Sequence, residues 1–118
     1  MNSTQWPGEW LRGVLGVAVL RILLDDPSYG YAITQRLAAA GLGEIKGGTL
    51  YPLLDRLERD GLVAVEWRPG DGGPGRKYFA LTAAGRAHAR QQVADWAEFT
   101  TTTRALTDSA RTEKGAPQ

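Results

Sequence analysis

Apolar residues recur at helical spacing over 9–24, where Leu11, Val14, Leu15, Ala18 and Ile22 mark one stripe. Val17, Val19, Leu20, Leu23 and Leu24 widen that stripe until most of the circumference is apolar. A helix of this kind is buried on more than one side. In so short a chain the second side is expected to meet another subunit. Asp-Asp-Pro at 25–27 ends the helix, and Ser28 is placed as the cap of a second one over 28–40. That helix offers Tyr31, Ile33, Leu37 and Ala40 for packing. A connector over 41–48 leads to a third helix at 48–60, whose Leu50, Leu53, Leu54 and Leu57 give one clean apolar face. Pro52 is placed in its first turn, where a missing N–H is tolerated, and Gly61 sits just past its end.

The period then changes. Residues 62–68 are rich in β-branched and aromatic side chains and read as a strand. Residues 69–75, four of them glycine, read as a loop that continues neither neighbour, and 76–81 as a second strand. Together they make a β-hairpin. Thr82 caps a last helix over 83–108. Along it Ala89, Val93, Trp96, Thr100, Thr103 and Leu106 or Thr107 fall near a 3.5-residue spacing, the seam expected for a partner helix. Threonines at 100–103 weaken that helix through β-branching. Residues 1–8 read as a loose, flexible arm and 109–118 as a frayed, disordered tail.

Three helices followed by a two-stranded wing is the winged form of the helix-turn-helix. The expected class is mainly α with a small β-hairpin. The winged helix-turn-helix spans 9–81, and a long C-terminal helix over 82–108 serves dimerisation. In this layout the third helix enters the major groove and the wing lies beside it.

Composition narrows the chemistry. The chain of 118 residues has no cysteine and one histidine, so thiolate metal sites, disulfides and cysteine nucleophiles are excluded. His88 has no ligand-spaced partner and reads as an exposed or interface residue. Nucleophile-elbow, phosphate-loop and zinc-protease patterns are absent, so no enzyme, cofactor or metal site is expected. The first ten residues lack a signal-peptide pattern, and the most apolar run is short and holds Arg21. The expected compartment is the cytoplasm, with no membrane partner.

With its leucines buried, the third helix offers Thr49, Tyr51, Pro52, Asp55, Arg56 and Arg59. The hydroxyls of Thr49 and Tyr51 suit phosphates or base edges, and Pro52 suits a thymine methyl. Arg56 suits guanine or phosphate. The plainer readings make Tyr51 a packing residue and Arg56 half of a surface pair. On the wing, Arg68, Arg76 and Lys77 are placed to reach phosphates, or else they are solubilising cations at a hairpin end. Arg86 and Arg90, one turn apart on the last helix, extend the positive patch or pair with acids. Trp10, Trp67 and Trp96 read as core or interface residues and Trp6 as peripheral.

The run GTLYPLLDRLERDGLV at 48–63, preceded by YGYAI at 29–33 and followed by GRKYFALTAAGR at 75–86, resembles the PadR family of bacterial transcriptional regulators. The likeness covers about 9–108 in order. It implies a homodimeric repressor of palindromic operators, of the short kind with one C-terminal dimerisation helix. Some relatives sense planar, cationic or aromatic compounds at the dimer interface, where a tryptophan of the last helix stacks on the ligand. Trp96 occupies the matching place; its neighbours Asp95, Glu98 and Phe99 offer a cationic aromatic ligand carboxylates and a stacking face, and Trp10 is placed with them. The implied dimer contacts are Leu11, Leu15, Val93, Trp96, Thr100 and Thr103. Where relatives often carry Ser or Thr followed by Pro, this chain has Lys46-Gly47, so the third helix lacks the usual cap. Either Thr49 caps it, or Lys46 exchanges helix stability for a phosphate contact.

The main alternative is a winged helix that binds protein rather than DNA, since fold alone does not decide. Charge placement favours DNA. The net charge of +1 hides a basic stretch over 68–90, with Arg68, Arg76, Lys77, Arg86 and Arg90 against Asp71 alone. The helical body over 25–60 is slightly acidic. The wing is therefore expected to supply phosphate attraction, and the third helix register and selectivity.

Overall fold

A computed structural model describes residues 5–70 and 72–108; the expected disorder of 109–118, and the first four residues of the arm, lie outside them. The elements are α1 (Gly8–Asp25), β1 (Ser28–Tyr29), α2 (Gly30–Ala39), α3 (Gly47–Arg59), β2 (Val63–Gly70), β3 (Gly73–Leu81) and α4 (Ala83–Thr107). The order of elements is the winged helix-turn-helix with a long last helix, as the periodicity requires.

The core forms where the apolar stripes meet. From α1 come Leu15, Val19, Leu20, Ile22 and Leu23; from α2, Ile33 and Leu37; from α3, Leu50, Leu53, Leu54 and Leu57. The sheet contributes Val63 and Phe79, the largest of the fully buried side chains. Leu15, expected at a partner contact, is thus part of the chain's own core. Leu11 and Val14 are only half-buried, and Trp10 is exposed. Trp6 is not merely peripheral: its indole N–H donates to the Gly41 carbonyl at 2.8 Å, tying the segment before α1 to the end of α2.

Two helix ends follow directly from glycine. At Gly61 (φ +75°) the chain takes the left-handed turn that closes α3, with Leu62 N–H donating to Leu57 and Gly61 N–H to Glu58. Gly41 closes α2 in the same way. At the other end of α1, Asp25 accepts from Arg21 at 2.9 Å and from Arg36 of α2 at 3.1 Å. Those hydrogen bonds, Arg21's first, hold its carboxyl below the usual range.

Four expectations are corrected. Ser28 does not cap a helix. It pairs as β1 with Phe79 of β3, while Tyr29 pairs with Tyr78, so the sheet has three antiparallel strands in the order β1-β3-β2. Sheet pairing and a tyrosine–tyrosine contact at 5.2 Å outweigh a single cap hydrogen bond. The 69–75 segment is not a loop: Gly70 still pairs with Gly73, after a register shift at Pro69. Proline without its N–H is tolerated there because β2 is an edge strand. A Cβ on Gly70 would overlap the Pro74 carbonyl, so the glycines permit a tight ribbon. The third helix starts at Gly47, which makes Pro52 its sixth residue and leaves the Gly48 carbonyl without its usual donor. The helix continues because its four leucines are locked in the core. Trp67 is not a core residue; it is 69% exposed.

α4 begins as read: Thr82 caps it, accepting from Gly85 N–H at 2.9 Å and donating to the Gly61 carbonyl at 2.7 Å. Only Gly85 and Ala89 of this helix are buried. Val93, Trp96, Thr100 and Thr103 are half-buried, and Phe99 and Leu106 stand exposed. The helix runs on through the threonines, whose hydroxyls donate back to carbonyls three or four residues earlier. No helix among the described residues is long and apolar enough to cross a membrane.

Candidate nucleic-acid interface

α3 presents its apolar face inward and leaves Thr49, Tyr51, Pro52, Asp55, Arg56 and Arg59 exposed. Its N-terminus has no side-chain cap: Lys46 holds the cap position in extended backbone and Thr49 does not replace it. The first N–H groups of Gly47 and Gly48 therefore stand at the positive end of the helix dipole, beside the Lys46 side chain. Among the described residues Lys46 and Arg56 enter no ion pair, so the surface-pair reading of Arg56 has no partner here.

Tyr51 does both things weighed for it. It is 45% exposed, yet its ring lies over Gly30 at the start of α2, where a Cβ would overlap the phenol oxygen. This glycine is what allows the tyrosine to bridge the two helices. Between them lies an open groove of about 500 Å³, lined by Tyr31, Thr34, Gln35, Lys46 and Tyr51 among others. Tyr31 and Gln35 join the candidate surface. Tyr31, expected among the packing residues of this helix together with Ala40, is instead 66% exposed, and Ala40 is exposed as well; nothing in the sequence singles out Gln35.

The wing arginines are held. Arg68 and Arg76 face each other across β2 and β3. Like charges placed so are unfavourable, but each guanidinium lies over a tyrosine. Arg68 sits 4.2 Å from the Tyr78 ring centre and Arg76 4.7 Å from that of Tyr29. Arg68 also donates to Glu66 at 3.1 Å. The two tyrosines touch, so one sheet face carries an arginine–tyrosine–tyrosine–arginine ladder. Such stacking keeps the charge while fixing its place. Tyr29 and Tyr78 were missed as positioning residues. Their only signal is alternation with the arginines along β3, and β1 is too short to show a period. Lys77 lies on the opposite face, with its ammonium 5.5 Å from the Phe79 ring.

The proposed effector residues are brought together only in part. Trp96 lines a groove of about 390 Å³ with Arg12 and Gly16 of α1, Arg56 of α3, and His88 and Gln92 of α4. Phe99 lies against it, ring centres 5.4 Å apart. Asp95 and Trp10 do not line this groove: Asp95 accepts from Gln91 at 2.8 Å, and Trp10 stands beside Trp6 at 6.3 Å.

The model of the "Transcriptional regulator PadR-like family" matches residues 19–91. The transcriptional regulator Rv3488 of Mycobacterium tuberculosis is 39% identical over 79 residues, spanning 67% of this chain and 72% of that one. The solved PadR family transcriptional regulator of Eggerthella lenta superimposes with a TM-score of 0.73 at 39% identity, covering 85% of this chain and 87% of its own. A PadR-like transcriptional regulator of Bacillus cereus gives 0.76 at 29% identity, covering 85% and 97%. With the three-stranded winged helix and this span of sequence in common, the chain belongs to the PadR-like family of transcriptional regulators.

Proposed function

We propose that the chain is a repressor that binds palindromic operator DNA as a homodimer. The observation that carries this is the wing: two arginines pre-positioned on tyrosines, beside an α3 whose Arg56 and Lys46 have no acidic partner among the described residues. Thr49, Tyr51, Pro52 and Arg56 read the major groove, and Lys46, Arg68, Arg76 and Lys77 hold the backbone. The half-buried stripe of Val93, Trp96, Thr100 and Thr103, together with Leu11, supplies the dimer contact. The twofold then sets two recognition helices about 34 Å apart, in successive major grooves.

A gel shift with the upstream DNA of its own gene, repeated across salt concentrations, tests this. Each phosphate neutralised adds about 0.9 to the slope of log affinity against log salt. Four cations per subunit therefore predict a slope near −7 (roughly, by that rule). A protein-binding winged helix gives no shift at all.

The effector reading is part of the same proposal. A small aromatic or cationic compound between the subunits stacks on Trp96 and Phe99, and it must favour the state that does not bind DNA. Titration with ethidium-like dyes is expected to quench tryptophan emission in the wild type and not in Trp96→Ala. Equal quenching in both removes Trp96 from the site.

A further inference from the structure

The sheet face that packs on the helices does not stop where the helices do. Val63, Val65 and Trp67 of β2 alternate onto it, opposite Leu81, Phe79 and Lys77 of β3. Val63 and Phe79 are buried, but Trp67, farther along the ribbon, is 69% exposed. Its ring edge lies over Gly75, within van der Waals reach of the place a Cβ would take. The ribbon thus has two unlike faces. One carries the arginine–tyrosine ladder, the other a large indole beside the Lys77 cation.

Resting on the DNA-binding reading above, we propose that Trp67 is a DNA-contact residue. Its indole packs against deoxyribose in the minor groove while Lys77, and the arginines of the opposite face, reach the flanking phosphates. The chemistry matches on both counts. The minor groove has apolar sugar walls and anionic rims, and side chains that enter it pair cations with apolar wedges. An indole between cations, on a stretch that carries five basic residues and one acid over 68–90, fits that surface better than it fits a neutral protein. At 69% exposure, and with no cover among the described residues, the ring is available.

The proposal separates two kinds of contribution. Removing an aromatic group takes away packing but no charge, so the salt slope should stay where it is. Trp67→Ala is expected to weaken binding of the upstream duplex about tenfold, as loss of a buried interface aromatic does, at an unchanged slope. Trp67→Phe should recover most of the loss. Thermal unfolding and sedimentation of both variants should match the wild type. In a variant where Trp67 is the sole tryptophan (Trp6, Trp10 and Trp96 as Phe), emission should change on addition of duplex and saturate with binding.

Wild-type affinity for Trp67→Ala, with DNA binding itself intact, overturns the assignment and leaves the regulator reading standing. So does a Trp67→Ala variant that dissociates into single chains, which would give the ring to a contact between copies. Should the wild type fail to bind any duplex, both readings fall together.

Discussion

Replacing Arg68 and Arg76 together by alanine is expected to weaken operator binding by roughly a thousandfold at about 0.1 M salt, by the counterion-release rule. In a dimer the double substitution removes four cations. The slope of log affinity against log salt should then fall in magnitude by about 3.6, at about 0.9 per phosphate. The fold should survive, because both side chains lie outside the core and their removal relieves a like-charge pair across the ribbon. Tyr29→Leu with Tyr78→Leu should give a different result: a weaker affinity with a nearly unchanged slope, since the cations remain but lose their fixed place. A loss under tenfold in the arginine variant, with the slope intact, would remove the wing from the phosphate contacts.

The second large effect concerns stability. Gly85→Ala places a Cβ inside the backbone carbonyl of Leu62, which cannot swing aside as a side-chain tip can. That carbonyl also accepts from Thr82 N–H at 3.0 Å, in the same knot where the Thr82 hydroxyl meets Gly61. Two opposed terms decide the sign. Alanine is the better helix former by up to about 1 kcal/mol. Overpacking typically costs about 1–3 kcal/mol, and a Cβ set against fixed backbone falls at the upper end. The clash wins, so the variant should be less stable by about 2 kcal/mol, lowering Tm by roughly 8 °C for a chain of this size. Thermal unfolding at one fixed protein concentration checks it. A Tm that rises instead would mean the start of α4 does not rest on the end of α3.

The legible parts of the fold were those whose cause is local. Leu50, Leu53, Leu54 and Leu57 had to share one helix face, and all four are buried. Gly61 and Thr82 act through their own backbone neighbourhoods and were placed correctly as a helix stop and a cap. What escaped depends on residues far apart in sequence. β1 is two residues long, and its pairing partner lies some fifty positions away. The wing glycines carry no pattern that distinguishes a loop from a tight ribbon. On α1, apolar positions on every side gave no way to tell Leu15, buried in the chain's own core, from its half-exposed neighbour Val14. For the site, the cationic residues could be named from charge alone, but the tyrosines that hold Arg68 and Arg76 became apparent only when β1 joined the sheet.

The contact between Tyr51 and Gly30 bears on any attempt to re-engineer specificity. A recognition helix bearing this tyrosine cannot be moved alone into another winged-helix scaffold. Where the recipient has a side chain at the start of its second helix, the phenol would have to swing off that helix, and the bridge between the two helices would be lost. The transferable unit is the pair, Gly30 with the helix from Gly47 to Arg59, and a graft that omits the glycine should present this tyrosine in a different place.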